Sequence, residues 1–147
     1  FDEDGHTLLQ QRAARKATWP GFWSNTCCGH PAPGESLGDA AARRLRQELG
    51  IEQPPPLLLA LPHFRYRARW STLWENEICP VLVGFYRGVV RPDPEEVAAT
   101  RWTPWMDLVR ASAAEPSPVA EVYSPWSRWE AAALHRLPAF AHGTLRA

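Results

Sequence analysis

The chain has 147 residues, a length typical of one domain, and is 45% hydrophobic and 22% charged, as soluble globular proteins usually are. Sixteen basic residues balance sixteen acidic ones, which excludes the strongly basic character typical of nucleic-acid-binding proteins. The longest apolar run, residues 78–86, is far shorter than the roughly 20 residues of a membrane-spanning helix. We therefore expect neither a nucleic-acid partner nor a membrane segment.

The cysteines and the start of the chain indicate the compartment. Cys27, Cys28 and Cys79 are an odd number with two adjacent members, which does not make a disulfide framework. A four-cysteine zinc site is impossible, and a reducing, cytoplasmic location is expected. The acidic start "FDEDGHTLL" is not a signal peptide, and because it lacks Met we expect the natural protein to begin further upstream.

The first half of the chain predicts one strand, one loop and one helix. "TLLQQR", residues 7–12, follows a turn and predicts a strand, and a loop rich in Gly, Pro and Trp extends over residues 19–34. Ser36 can cap the next helix, with Asp39 three residues on, and Gly50 ends it at the favoured position. The apolar side of this helix consists of Ala40, Ala41, Leu45 and Leu49.

The second half predicts four strands and two helices. The strands are expected at residues 57–61, 63–69, 74–88 and 98–102. The helices are expected at about residues 104–114 and after Ser124, which would cap the last helix with Pro125 at its first position. This order predicts a single α/β or α+β sandwich, in which a mixed sheet is flanked by helices.

The helix and its flanking loops resemble a known motif. Residues 29–51, "GHPAPGESLGDAAARRLRQELGI", have the spacing of the Nudix box, which presents carboxylates to a divalent metal that holds a diphosphate. Arg44 and Glu48 are four residues apart and share one helix face, and a carboxylate there suits Mg²⁺. Arg44 and Gln47 replace acidic residues of the box, so the resemblance implies diphosphate binding without hydrolysis. The alternative is a solvated helix face on which Arg44 and Glu48 form a surface ion pair.

Five segments in order extend the resemblance over nearly the whole chain: "WPGFWSNTCCGHP", "RRLRQELG", "FRYRA", "ENEICPV" and "YSPW". Together they resemble type I isopentenyl-diphosphate isomerase, a Nudix-fold family of isoprenoid synthesis. This resemblance implies interconversion of isopentenyl and dimethylallyl diphosphate. A proton is added to the end of the double bond, a tertiary carbocation forms, and a proton leaves from the other side.

The resemblance also implies roles for four side chains in this chemistry. Cys28, directly before Gly29, matches the catalytic cysteine, and Glu77 matches its acid–base partner. Tyr66 matches the phenol that assists the glutamate side. Trp126 matches the tryptophan whose π face stabilises the carbocation. Without the resemblance, Cys28 would be a small buried residue and Trp126 a core residue.

The metal ligands and substrate contacts follow from the same resemblance. His30, Glu75 and Glu77 are implied as ligands of a divalent metal (Zn²⁺, Mn²⁺ or Mg²⁺), and Cys28 is also implied as a metal-binding residue. Glu75 and Glu77 are two residues apart on a predicted strand and face one side, where they repel unless a cation or proton lies between them. The alternative is a solvated pair of strand-face glutamates.

A second ion, Mg²⁺ bound with the diphosphate, is assigned by resemblance to Glu48. The cations expected to grip the diphosphate are Arg12, Lys16 and Arg44. The family has two further metal-binding histidines upstream of the segment that starts here, so we expect weak metal binding by this chain alone. The histidines that match no ligand position are His6, His63, His135 and His142.

Two other functions remain open at this point. A Nudix diphosphohydrolase would share the fold, but the missing helix acids argue against it. A noncatalytic module for prenyl diphosphates or nucleotides is the other possibility, and Cys28 and the "ENE" segment argue against it. We expect a small prenyl diphosphate as the partner and a monomer or weak dimer.

Overall fold

The computed structural model describes residues 1–114 and 122–141. Its strands are β1 (His6–Arg12), β2 (Trp23–Ser24), β3 (Leu58–Leu61), β4 (Arg65–Trp70), β5 (Leu73–Ile78), β6 (Val81–Val83) and β7 (Val97–Pro104). Its helices are α1 (Leu37–Leu49), α2 (Trp105–Ala113) and α3 (Pro125–His135), followed by a 3₁₀ helix at Pro138–Phe140. The predicted order of elements is therefore confirmed for β1, α1, β3, β4 and the last two helices.

Strand β1 lies in the middle of the sandwich. It pairs antiparallel with β7, from His6 opposite Pro104 to Arg12 opposite Val97, and β2 lies on its other edge. Consecutive strand residues point to opposite faces. Leu8 packs in the cluster that includes α1, whereas Leu9 packs in the cluster of α2 and α3. The sheet is thus covered by helices on both faces, which confirms the predicted sandwich.

The ends of α1 are those that the sequence predicts. The Ser36 hydroxyl accepts a hydrogen bond from the Asp39 backbone N–H at 3.1 Å. Gly50 has a φ of 61°, a left-handed conformation that costs glycine little, and its N–H bonds back to the helix. The helix therefore begins and ends at defined residues, which places Arg44 and Glu48 reproducibly relative to the sheet.

The prediction of one long strand at residues 74–88 is wrong. Strand β5 pairs with β4, whereas β6 pairs with β3, and the two strands are separated by Cys79 and Pro80. Proline has no N–H for a ladder hydrogen bond, so the chain changes partner there. As a result, Glu75 and Glu77 belong to a hairpin that is distinct from the strand pair β3–β6.

Helix α3 begins with Pro125 as predicted, but the Ser124 hydroxyl does not cap it. Ser124 is fully buried, and its hydroxyl bonds to Ser24 and Ser127, each at 3.0 Å. These bonds tie α3 to β2. Beside them, Trp23 forms a parallel bridge with Tyr123, so the strand pairing is mixed, as expected.

Among the described residues, no helix combines the length and the apolar character that crossing a bilayer requires. His142, one of the histidines named above, lies outside the described residues.

Candidate active site

A cavity of about 880 Å³ opens between the loop after β2, helix α1, the β4–β5 hairpin and helix α3. Most of the predicted site residues line it: Arg12, Lys16, Cys28, His30, Arg44, Tyr66, Glu75, Glu77 and Trp126. Glu48 is the one predicted site residue that does not. The fold therefore brings together segments that are far apart in the sequence.

The thiol of Cys28 is held by Asn25. Cys28 Sγ donates to Asn25 Oδ1 at 3.2 Å, and the Trp126 indole Nε1–H donates to the same oxygen at 3.1 Å. Ser24 also donates to this oxygen, at 2.9 Å. Three donors on one acceptor determine the orientation of the Asn25 amide and place Cys28 beside Trp126.

The two adjacent cysteines face different environments. Cys27 packs among the aliphatic residues between β1 and α1, whereas Cys28 packs with the buried Trp19 and Trp126. Burial raises the pKa of Cys28 well above its usual value, and the nearby Glu130 raises it further. Burial also raises the pKa of Cys27 to about 12. Cys28 is therefore a neutral thiol, a group that can give a proton to a carbon atom.

An aromatic cluster lines this part of the cavity. The Trp126 ring is stacked on Tyr66, with ring centres 5.6 Å apart and an angle of 24°, and meets Trp19 edge-on at 5.1 Å. Trp126 is only 2% exposed. Such a wall excludes water and offers π electrons to a cation without accepting a covalent bond.

The β4–β5 hairpin presents a phenol and two carboxylates on one face. Tyr66 donates to Glu75 Oε2 at 2.9 Å, and Thr18 donates to Glu75 Oε1 at 2.7 Å. Burial, followed by the negative charge of Glu75, raises the pKa of the Tyr66 phenol. Tyr66 lies opposite Glu77 in the strand register but bonds to Glu75.

The predicted metal ligands come together only in part. His30 Nε2 lies 3.1 Å from Glu77 Oε2, while both oxygens of Glu75 accept bonds from Thr18 and Tyr66. Within residues 1–114 and 122–141, the one group of three possible ligands whose atoms lie within 4.8 Å of one another is Asp2, Asp4 and His6. His30, Glu75 and Glu77 thus line one cavity without forming a compact triad.

The three predicted basic residues line the same cavity, and we call the part that they line its basic end. The Arg12 guanidinium donates to the Thr18 carbonyl at 2.8 and 3.1 Å and lies 5.2 Å from the centre of the Trp126 ring. Lys16 and Arg44 also line this end. Arg12 therefore connects the basic end to the aromatic wall.

Glu48 is not the solvated surface residue of the alternative interpretation. It is 3% exposed, one carboxylate oxygen accepts from Arg44, and the other accepts from Gln10 at 3.0 Å. Arg44 in turn passes close to the loop at Gly29, where a Cβ would lie 2.6 Å from Arg44 Cγ. Glu48 thus holds Arg44 against the cavity wall.

Three polar residues of the site were missed by the sequence analysis. Asn25 lies within the segment "WSNTCCGHP", so the resemblance contained a signal for it. Glu130 lies one helical turn after Trp126, is 3% exposed and has its pKa raised to about 8 by burial. Glu96 accepts from Lys16 and Arg44. The contacts of the two glutamates join distant segments, and no local pattern predicts them.

Comparison with known proteins places this fold in a class. The family described as NUDIX domain matches residues 1–129. The MutT protein from Methanosarcina mazei superposes with a TM-score of 0.69 at 20% identity, over 92% of this chain and 86% of that one. DR0079 from Deinococcus radiodurans gives a TM-score of 0.65 at 18% identity, over 92% and 78% of the two chains. The family match makes the chain a NUDIX domain, and these two solved structures share its fold.

Closer relatives refine this assignment. The isopentenyl-diphosphate Delta-isomerase of Mycolicibacterium vanbaalenii is 49% identical over 128 residues, which are 86% of this chain and 67% of the relative. The protein of the same name from Saccharopolyspora erythraea is 46% identical over 140 residues, or 95% and 70% of the two chains. The chain belongs to the isopentenyl-diphosphate Delta-isomerase family, and spans about two thirds of the length of these relatives.

Proposed function

We propose that the protein interconverts isopentenyl diphosphate and dimethylallyl diphosphate in isoprenoid synthesis. The observation that supports this most directly is the arrangement around Trp126. Its ring is stacked on Tyr66, and its indole N–H shares Asn25 Oδ1 with the Cys28 thiol. Groups that exchange protons therefore flank an aromatic surface in a site that also contains three cations.

The arrangement suits the chemistry of an allylic isomerisation. A proton is added to the terminal carbon of the double bond, which leaves a tertiary carbocation beside the Trp126 ring. A different proton then leaves the methylene on the other side of the cationic carbon, and the new double bond forms between these two carbons. One proton is added and one is lost, so charge and atoms balance. We assign the two proton transfers to Cys28 and to Glu77 with Tyr66 on the hairpin side. Because the Trp126 side is buried, it keeps water from the face of the cation that it covers.

The basic end of the cavity would bind the diphosphate. Arg12, Lys16 and Arg44 offer guanidinium and ammonium donors that suit phosphate oxygens. The absence of the usual Nudix acid at Arg44 supports an isomerase over a diphosphohydrolase.

Metal ions are part of this proposal. His30, Glu75 and Glu77 would hold a divalent ion, since an imidazole and two carboxylates suit Zn²⁺, Mn²⁺ and Mg²⁺. Glu48 would hold Mg²⁺ with the diphosphate, and because it is buried with both oxygens bonded, Arg44 or Gln10 must then move away from it. When bound, such ions neutralise carboxylate and phosphate charge. We further propose a cytoplasmic protein that is a monomer or weak dimer.

One assay separates the candidate functions. The protein is incubated with isopentenyl diphosphate and Mg²⁺, and the products are measured for both dimethylallyl diphosphate and free phosphate. Isomer without phosphate supports the proposal. Phosphate without isomer would identify a diphosphohydrolase, and neither product, despite measurable binding, would identify a binding module.

A further inference from the structure

Glu96 contacts two of the three cations at the basic end of the cavity. Its Oε2 accepts from Lys16 Nζ and also lies 3.4 Å from Arg44 Nη2. The hydrogen bond from Lys16 is the largest of several effects that hold the pKa of Glu96 below its usual value, so the carboxylate is ionised. One negative oxygen thus lies between two positive groups that would otherwise repel each other.

The backbone around Glu96 is tied to the elements that carry both cations. The Glu96 carbonyl accepts from the Ala13 N–H at 3.1 Å, three residues before Lys16 at the exit of β1. The Asp93 N–H donates to the Glu48 carbonyl at 2.9 Å, and the Arg91 N–H donates to the Leu49 carbonyl at 2.8 Å. Residues 91–96 therefore connect the end of α1 to the end of β1, and the side chain of Glu96 has a defined position.

Lys16 keeps donors free for a ligand while it contacts Glu96, and Arg44 is held beside it. The ammonium of Lys16 has three N–H groups, and Glu96 is its one recorded partner in the described structure. Arg44 uses Nη2 for Glu48 and Glu96 and Nη1 for Gln47, at 3.3 Å, while its Nε is buried without a hydrogen-bond partner. A phosphate oxygen can bind the remaining N–H groups of Lys16 without displacing Glu96, and Arg44 adds its positive charge beside them.

We propose that Glu96 is a positioning residue that holds Lys16 and Arg44 side by side to receive the diphosphate. The inference rests on the proposed function for the identity of the ligand. Glu96 does not touch the reacting carbons, so it acts on substrate binding and not on the proton transfers. Its negative charge would weaken diphosphate binding if charge alone mattered. The proposal states that alignment of the two cations outweighs this repulsion.

The test compares Glu96→Gln with Glu95→Gln. Glu95 is adjacent in sequence, but it pairs with Arg15 and both side chains are 65% exposed. For Glu96→Gln we expect KM for isopentenyl diphosphate to rise about tenfold, the loss typical of a charged hydrogen bond, with kcat changed less than threefold. Glu95→Gln should leave both constants unchanged. Glu96→Asp, which keeps the charge, should recover part of the loss.

Calorimetric titration with inorganic diphosphate tests Glu96 without reference to isomerisation. We expect affinity to fall about tenfold in Glu96→Gln and to stay unchanged in Glu95→Gln. Tighter binding in Glu96→Gln would show that Glu96 competes with the ligand, and unchanged binding would show that it does not position the cations. Either result overturns the inference while the proposed activity stands. A wild-type protein that binds diphosphate but makes no isomer would instead overturn the proposed function.

Discussion

The two ends of the cavity differ in the charge of the side chains that line them. At the basic end, Lys16 and Arg44 are balanced by Glu48 and Glu96, so charges are paired and partly open to solvent. At the thiol end, Cys28 is neutral and packs against aromatic rings, while Glu75 and Glu77 lie on the β4–β5 hairpin beside Tyr66. A substrate with a diphosphate head and an apolar five-carbon tail needs both ends at once. The proposed function predicts that affinity depends on the cations and the proton chemistry on the groups around Cys28, so variants should separate the two.

The largest expected effect is loss of the thiol. Cys28→Ala should lower kcat by at least about 10³-fold, because a proton donor in contact with the substrate is removed. Diphosphate affinity should be retained, since the basic end is intact. Cys27→Ala is the matched control, because Cys27 packs between β1 and α1. Equal rates of isomer formation in the two variants would contradict the assignment of Cys28.

Substitution of Trp126, also at the thiol end, should affect the chemical step more than substrate binding. Trp126→Ala should lower kcat about 30-fold or more, because a cation–π contact worth about 2 kcal/mol is lost. Trp126→Phe keeps a weaker π face and should lose less. Steady-state kinetics measure both, and circular dichroism checks that each variant folds. A fully active Ala variant would mean that Trp126 only packs.

Substitution of Glu48 should affect substrate binding at the basic end of the cavity. Glu48→Gln removes the buried charge that holds Arg44, so Mg²⁺-dependent substrate affinity should fall about tenfold with a smaller change in kcat. The exposed Glu52 supplies the control Glu52→Gln. Titration calorimetry with isopentenyl diphosphate and Mg²⁺ measures the affinity. No change in affinity would remove Glu48 from the binding site.

The smallest expected effect concerns stability at the thiol end. Burial raises the pKa of Glu130 from 4.5 to about 8, so the folded state favours the protonated carboxyl. The stability that this preference supplies is complete below pH 4.5 and is lost as the pH rises to 8. Glu130→Gln cannot ionise. The difference in free energy of unfolding between this variant and wild type should therefore shift in favour of the variant by about 1 kcal/mol from pH 4 to pH 9, since relaxation around the ionised Glu130 absorbs part of the cost. Denaturant unfolding at both pH values measures it, and an equal difference at the two would contradict a buried, titrating Glu130.

Local signals predicted much of this molecule. The cap at Ser36, the glycine at position 50 and the apolar spacing between them gave α1, and the ordered segments gave the family and the cavity residues. Contacts between distant residues could not be predicted. Pro80 indicates that a strand ends there, but the sequence around it does not predict that β5 and β6 pair with different strands. Likewise, no spacing indicates that Tyr66 bonds to Glu75, or that Glu96 joins Lys16 to Arg44.

The close approach at Gly29 has a consequence for how this family can vary. A side chain at position 29 would meet Arg44 Cγ, Cδ and Nε at 2.6 to 3.0 Å, so the loop that carries Cys28 and the helix that carries Arg44 fill one another's space. The two positions should therefore change together or not at all. Among homologues, a residue larger than glycine at position 29 is expected only where position 44 has a shorter side chain. Such a pair of changes would give up a diphosphate contact to reshape the loop beside the thiol.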